Sequence, residues 1–140
     1  MASGILDTST LILIDGLLAE DLPTEPVITA VTLAELSVGP LATADPSEQA
    51  ARQARLQEAE AAFEPLPFDA PAARAFGRVA ASLRASGRKA HARAFDALIA
   101  ATALANDLPI YTCNPKDFAG IDDVTVVAVP HPERPSPRVL

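Results

Sequence analysis

Two acidic residues follow predicted β-strands. Asp7 comes after the apolar run 4–6, and Asp117 belongs to the motif that follows the β-rich run 109–112. Ligand sites of open parallel sheets lie beyond the carboxyl ends of the strands, so both carboxylates are placed where they could act on a ligand. Each has a simpler interpretation as well: Asp7 as the N-cap of a helix and Asp117 as an ordinary turn residue.

Two further acids lie on predicted helices among apolar neighbours. Glu35 has Val31 and Val38 at helical spacing, and Asp96 has Ile99 one turn ahead. An unpaired charge on an apolar face costs several kcal/mol or forces protonation of the carboxyl group. The alternatives are an exposed position for Glu35 and a favourable interaction of Asp96 with its helix dipole.

Taken together, the four carboxylates predict a site for a hard divalent cation. Two carboxylates about 5 Å apart repel each other by roughly 3 kcal/mol at an effective dielectric of 20, so a cluster of them needs a cation. Oxygen ligands favour Mg²⁺ or Mn²⁺ over zinc, and the two histidines, His91 and His131, are isolated from each other. Neither a Gly-rich phosphate loop nor a G-x-S-x-G motif is present, which disfavours a side-chain nucleophile.

Length and composition limit the classes of protein that the chain can belong to. The 140 residues, 49% of them hydrophobic, predict one domain with a single core. One cysteine excludes a disulfide framework and fits a reducing, cytoplasmic location, and no apolar run reaches the length of a membrane span. We expect no membrane contact.

The charge is unevenly distributed along the chain. A net charge of −7 argues against binding nucleic acid through overall charge, yet the interval between Asp69 and Asp96 contains no acid. Six of the eleven basic residues fall in this interval, namely Arg74, Arg78, Arg84, Arg88, Lys89 and Arg93. They form either a solvated surface or a contact for phosphate groups.

Strands and helices alternate along the predicted structure. The predicted strands are 4–6, 26–28, 109–112 and 124–129. The predicted helices are 8–18, 30–38, 46–63, 70–85 and 94–105. This order is typical of an α/β sandwich with a parallel sheet covered on both faces. We expect residues 1–129 to form the domain and the Pro-rich residues 130–140 to form a flexible tail.

Four motifs in order resemble those of the PIN-domain ribonucleases, specifically the VapC toxins of type II toxin–antitoxin pairs. The resemblance runs from about residue 3 to residue 129 and rests on Leu6-Asp7-Thr8-Ser9, Thr32-Leu33-Ala34-Glu35-Leu36, the run 95–103 and the run 111–118. It implies a PIN-like three-layer sandwich with a central twisted parallel sheet flanked by helices. The acids are expected to converge at the carboxyl edge of that sheet.

The resemblance also implies roles for individual residues. The family's Mg²⁺ ligands correspond to Asp7, Glu35 and Asp96, and Mn²⁺ can substitute for Mg²⁺. Asp117 is the choice for the fourth acid, because Asn114 carries an amide. Asn114 could hold a water at the metal. The hydroxyl groups expected to support the ligands or contact phosphate are those of Thr8, Ser9 and Thr112. The basic residues expected to bind RNA phosphates are Arg88, Lys89 and Arg93.

The implied activity is hydrolysis of RNA by a metal-activated water. In-line attack on phosphorus would leave a 5′-phosphate and a 3′-hydroxyl, with one or two ions at the site. The implied partners are a VapB-type antitoxin and a second copy of the chain in a homodimer, with promoter DNA bound only through the antitoxin. Two alternatives remain: a non-catalytic PIN-like module that binds RNA or a partner, and a small metal-dependent DNA nuclease or phosphatase.

Overall fold

Four parallel strands form one sheet in the order β2-β1-β3-β4. The computed structural model describes residues 2–89 and 93–133 of the chain. In chain order the strands are β1 (Ser3–Leu6), β2 (Glu25–Val27), β3 (Ile110–Thr112) and β4 (Val126–Ala128). Since all four strands point the same way, their carboxyl ends meet at one edge, and β1 and β3 lie at its centre.

The helices lie between the strands in sequence, as the pattern predicts. They are α1 (Thr8–Ile12), α2 (Ala30–Val38), α3 (Pro46–Ala62), α4 (Ala70–Ala85) and α5 (Ala94–Asn106). Four of them begin at side-chain caps, because Asp7, Thr29, Asp45 and Asp69 each accept a hydrogen bond from a backbone N–H of the first turn. At the start of α3, Glu48 does not return a hydrogen bond to the backbone of Asp45 but pairs with Arg52.

The first helix is shorter than predicted. The sequence pattern extends it to residue 18, whereas α1 ends at Ile12 and two 3₁₀ turns follow, Ile14–Gly16 and Ala19–Asp21. The amide of Gly16 donates to the carbonyl of Leu13, which is the tighter spacing of a 3₁₀ turn. Glycine has a low helix propensity, and α1 ends before Gly16. The apolar spacing alone predicted a helix that continues past this glycine.

The hydrophobic core lies on both faces of the sheet. Ile5 and Leu6 are adjacent in β1 and fully buried, yet they belong to different clusters because successive side chains point to opposite faces. Ile5 packs with residues of α4 and α5 such as Val79 and Ile99, and Leu6 packs with residues of α1, α2 and α3 such as Leu36. The predicted α/β architecture, a parallel sheet between two helical layers, is therefore confirmed.

Two predictions fall partly outside the described residues. His91, expected in a loop, lies outside them, and the expected tail 130–140 is described only as far as Glu133. The division into a domain and a tail therefore stays a prediction. Within the described ranges, no helix is both long enough and apolar enough to cross a bilayer.

Gly4 in β1 is expected to be intolerant of a larger side chain. A Cβ atom at this position would lie 2.5 Å from Cε1 of Tyr111, whereas a Cβ at Gly77 in α4 would have nothing within 4 Å. Gly4→Ala should lower the free energy of unfolding by about 1–3 kcal/mol, because the ring of Tyr111 must move. Gly77→Ala is the control and should raise it by up to about 1 kcal/mol through helix propensity. Urea denaturation followed by circular dichroism measures both, and equal effects of the two substitutions would contradict this expectation.

Candidate active site

Asp7 is a buried carboxylate between the two central strands. It follows β1, and its side chain is only 2% exposed. Oδ1 accepts the backbone N–H of Thr10 at 3.2 Å and so caps α1, while Oδ2 accepts the hydroxyl of Thr112 at 2.8 Å from the end of β3. Oδ2 also accepts a weaker hydrogen bond from Ser9 at 3.4 Å. The N-cap interpretation of Asp7 is therefore confirmed, and its role at a ligand site stays a prediction.

Burial raises the pKa of Asp7, and hydrogen bonds from Thr10 and Thr112 oppose that rise. These bonds are stronger to a charged carboxylate than to a neutral one, so they favour the ionised form at the sheet edge. Thr10 also accepts the backbone N–H of Cys113 at 3.0 Å, which ties the start of α1 to the end of β3. Sequence reasoning missed Thr10, although its position three residues after a capping aspartate is a usable signal.

Glu35 reaches the same edge from α2. Its Oε1 accepts a hydrogen bond from the Thr8 hydroxyl, and the Thr8 and Thr32 hydroxyl oxygens are 3.0 Å apart. Because the Thr8 hydroxyl donates its hydrogen bond to Glu35, the Thr32 hydroxyl must be the donor in the bond between the two threonines. Burial raises the pKa of Glu35 and the charge of Asp7 adds to the rise. The sequence predicted Thr8 as a supporting residue but treated Thr32 only as a neighbour on the helix.

Asp96, in the first turn of α5, lies within electrostatic range of the other three acids. Burial raises the pKa of Asp96 from 3.8 to about 7, and the charges of Asp117, Asp7 and Glu35 contribute in that order. Arg93 opposes the rise only weakly. Four acids that are far apart in sequence therefore form one electrostatically coupled group.

Asp117 is held in the group by an ion pair. Its Oδ1 accepts a hydrogen bond from Nη1 of Arg93 at 2.8 Å, and both side chains are about one-third exposed. The backbone N–H of Asp117 donates to the carbonyl of Asn114, which starts the 3₁₀ turn Pro115–Phe118. Arg93, expected to bind RNA phosphate, thus contacts an acid of the cluster.

The other two expected phosphate contacts lie at the end of α4. Arg88 and Lys89 are both exposed. The Cδ atom of Arg88 lies 3.2 Å from the position that a Cβ would take at Gly120, which places Arg88 against the loop after the Pro115–Phe118 turn. The contact of both residues with RNA stays a prediction.

The donor atoms of this group suit a hard divalent cation. Carboxylate and hydroxyl oxygens dominate, and burial raises the pKa of the neighbouring Cys113 thiol, which disfavours a thiolate ligand. Within residues 2–89 and 93–133, no three Asp, Glu, His or Cys side chains are gathered closely enough to hold an ion as they stand. The fit of a divalent cation therefore rests on the oxygen donors and on the repulsion among the carboxylates, which a cation would reduce.

The sequence and the fold match those of a known class of protein. Residues 5–124 match the PIN domain family, and the chain belongs to it. It is 40% identical to ribonuclease VapC5 of Mycobacterium tuberculosis over 131 residues, covering 91% of this chain and 94% of that protein. It is 35% identical to ribonuclease VapC4 of the same organism over 102 residues, covering 73% and 75% of the two chains. Within the PIN-domain proteins, the chain is thus a member of the VapC ribonucleases.

A solved structure supports the same assignment. The crystal structure of VapBC-5 from Mycobacterium tuberculosis, a member of the VapBC family of toxin–antitoxin systems, superposes with a TM-score of 0.80 at 40% identity. The match covers 92% of this chain and 100% of that chain. The resemblance drawn from the four sequence motifs and the fold that it implied are confirmed.

The raised pKa of Asp96 predicts a pH-dependent stability in metal-free protein. An acid whose pKa is higher in the folded state than its ordinary 3.8 binds its proton more tightly when folded, so the protein loses stability as the pH rises from about 4 to about 7. Asp96→Asn should remove this loss and stabilise the metal-free protein by about 1–2 kcal/mol above pH 7, a figure reduced for solvent screening.

Chemical denaturation in EDTA at several pH values measures this difference. It should grow from pH 4 to pH 7 and then level off, and added Mg²⁺ should stabilise the native sequence more than the variant. A difference independent of pH would contradict the raised pKa of Asp96.

Proposed function

We propose that the chain acts as a toxin by cutting RNA, with Asp7, Glu35, Asp96 and Asp117 as its metal-binding catalytic acids. The observation that carries this proposal is the electrostatic coupling of these four carboxylates at the carboxyl edge of the sheet. Mg²⁺ is the cation we propose, with Mn²⁺ as a substitute, because the donors are hard oxygens. A divalent ion bound there would offset the negative charge on the acids and on the scissile phosphate and would help to activate water.

The chain's own residues hold the acids in place for this reaction. Thr112 and the first turn of α1 orient the two oxygens of Asp7, and the pair Thr32 and Thr8 orients Glu35. Arg93 restrains Asp117. We propose Asn114 as a residue that holds a water near Asp117, since its backbone is fixed by a hydrogen bond of 3.0 Å from its N–H to the Thr112 hydroxyl.

The products follow from hydrolysis with in-line geometry. The oxygen of water bonds to phosphorus, the bond from phosphorus to O3′ breaks, and the leaving O3′ takes up a proton. The RNA fragments therefore carry a 5′-phosphate and a 3′-hydroxyl, which end-specific ligation can detect. A nuclease that left 2′,3′-cyclic ends would act by a different reaction.

The partners are proposed from the relatives. VapBC-5 is a toxin–antitoxin complex, so we propose a VapB-type antitoxin as the partner of this chain. A homodimer, contact with promoter DNA only through the antitoxin, and a cytoplasmic location remain predictions from the sequence.

Removing charge from the acids should abolish RNA cleavage. Asp96→Asn and Glu35→Gln keep the size of each side chain and should lower the cleavage rate in Mg²⁺ by at least about a hundredfold, because each removes one proposed metal ligand. Asp7→Asn should do the same, and its amide oxygen can still cap α1. Circular dichroism checks that the fold persists, and Asp69→Asn, at the cap of α4, serves as the control.

The same assay separates the alternative functions. RNA, single-stranded DNA and a generic phosphomonoester are incubated side by side, with EDTA as a second condition. We expect cleavage of RNA alone and none in EDTA. Full activity in EDTA would exclude the metal mechanism, and equal rates on DNA or on the phosphomonoester would favour the other nuclease or a phosphatase.

Thr112 is expected to act through Asp7. Thr112→Val removes a hydroxyl that donates to Oδ2 of Asp7 at 2.8 Å, while Thr112→Ser keeps it. Loss of such a support typically lowers metal affinity or activity about 10–100-fold. The Mg²⁺ concentration that gives half-maximal cleavage should therefore rise for the valine variant and return toward normal for the serine variant. Equal behaviour of the two variants would contradict this role.

A further inference from the structure

A cleft next to the acids carries positive charge that no step of the proposed reaction uses. It has a volume of about 570 Å³, and its lining includes Arg93, Asn114, Lys116, Asp117 and His131. This volume falls within the range of about 300–1,000 Å³ that is usual for ligand pockets. Asp117 belongs to both the cleft and the acidic group, so the cleft opens directly beside the proposed centre of hydrolysis.

The charges of this cleft differ from those of a second cleft that includes one of the acids. The second cleft, of about 420 Å³, contains Thr8 and Glu35, and its charged lining consists of two acids and two bases. One of those bases, Arg52, is engaged by Glu48 and by the carbonyl of Gly39. In the cleft beside Asp117, Lys116 is exposed and forms no ion pair within the described part of the chain. An anion is therefore favoured on the Lys116 side.

His131 faces the cleft from the segment that follows β4. The backbone N–H of Val129 donates to the carbonyl of Thr112 at 2.8 Å, which holds the start of this segment against β3. Further along, Cβ of Pro132 lies 3.1 Å from the position of a Cβ at Gly16. The chain is thus held on both sides of His131.

The tautomer of His131 is fixed by its own backbone. Nδ1 accepts the N–H of Glu133 at 3.1 Å, so the proton of the neutral ring is on Nε2. The ring therefore offers a donor to an acceptor oxygen. Lys116 supplies a positive charge and Nε2 of His131 a hydrogen-bond donor, which together suit one phosphate group of a polynucleotide backbone.

We propose that this cleft binds the RNA strand next to the scissile phosphate, with Lys116 and His131 contacting a neighbouring phosphate. The inference rests on the proposed function and names the path of its substrate. None of the nine described lining residues is Phe, Tyr or Trp, so base stacking contributes little and the contact is to the sugar–phosphate backbone. Binding here is therefore expected to depend on salt and only weakly on base sequence.

RNA binding is measured apart from cleavage. The probe is a fluorescein-labelled single-stranded RNA of twelve nucleotides with mixed sequence, and anisotropy is recorded in Mg²⁺ on an Asp96→Asn background. Lys116→Ala should weaken binding about three- to tenfold and reduce the slope of log affinity against log salt by about 0.7, the value for one phosphate contact on a single strand.

Three further variants test the assignment of each group. His131→Ala should weaken binding a few-fold, because a hydrogen bond from Nε2 to phosphate is lost, and His131→Gln should recover part of the loss. Arg78→Ala is the matched control, since Arg78 lies on α4 and lines a different cleft. If Lys116→Ala and the Lys116→Ala, His131→Ala double variant bind RNA as the Arg78→Ala variant does, the proposal is wrong.

Kinetics on an otherwise native sequence separate this proposal from the proposed function. The double variant should raise KM and leave kcat within about twofold, because neither residue is one of the acids.

If the native sequence binds RNA through Lys116 but never cuts it, the cleft stands and the nuclease function fails. If it cuts RNA with a KM unaffected by the double variant, the nuclease function stands and the cleft fails. Lys116-dependent binding of an acidic decapeptide, with RNA binding unaffected, would assign the cleft to a protein partner and overturn the proposal.

Discussion

The concentration of negative charge at one edge of a parallel sheet is the constraint on which the rest of the structure depends. Asp7 is almost fully buried there, and three other acids approach from α2, from α5 and from the turn after β3. Burial makes these acids costly to ionise and the neighbouring carboxylates add to that cost, and the pKa of about 7 at Asp96 is its clearest sign. Threonine hydroxyls and the start of α1 lower the cost locally, and a divalent cation is the group that would remove most of it.

Much of the architecture could be predicted because the local signals agree with the packing. Helix α2 has the predicted bounds, since its threonine cap and the glycine after it act within a few residues. Strand β4 is shorter than predicted, because β-propensity extends beyond the three residues that pair with β3. Helix α1 is also shorter than predicted. The apolar residues continue at helical spacing beyond Gly16, where the first 3₁₀ turn ends, so the sequence pattern placed the end of the helix too late. Such boundaries depend on tertiary contacts that a local pattern does not contain.

The acids that lie together could be identified from the sequence, but not all of the hydroxyl groups that hydrogen-bond around them could. A carboxylate after a strand or on an apolar helix face is conspicuous because its burial is costly. The hydroxyl of Thr32 and that of Thr10 are not, since threonine is common on buried helix faces and in strands. The position of His131 beside Asp117 depends on a segment that crosses the sheet edge after β4, and no spacing in the sequence specifies it.

The double use of Asp7 affects how inactive variants of this protein should be interpreted. One oxygen of its carboxylate starts a helix and the other faces the end of β3, so alanine at this position removes a structural anchor together with a charge. A screen for inactive variants would recover this position for two unrelated reasons, misfolding and chemical inactivity. Glu35 caps no helix, so an allele altered there reports on chemistry more cleanly and is the better choice for purifying an intact but inert protein.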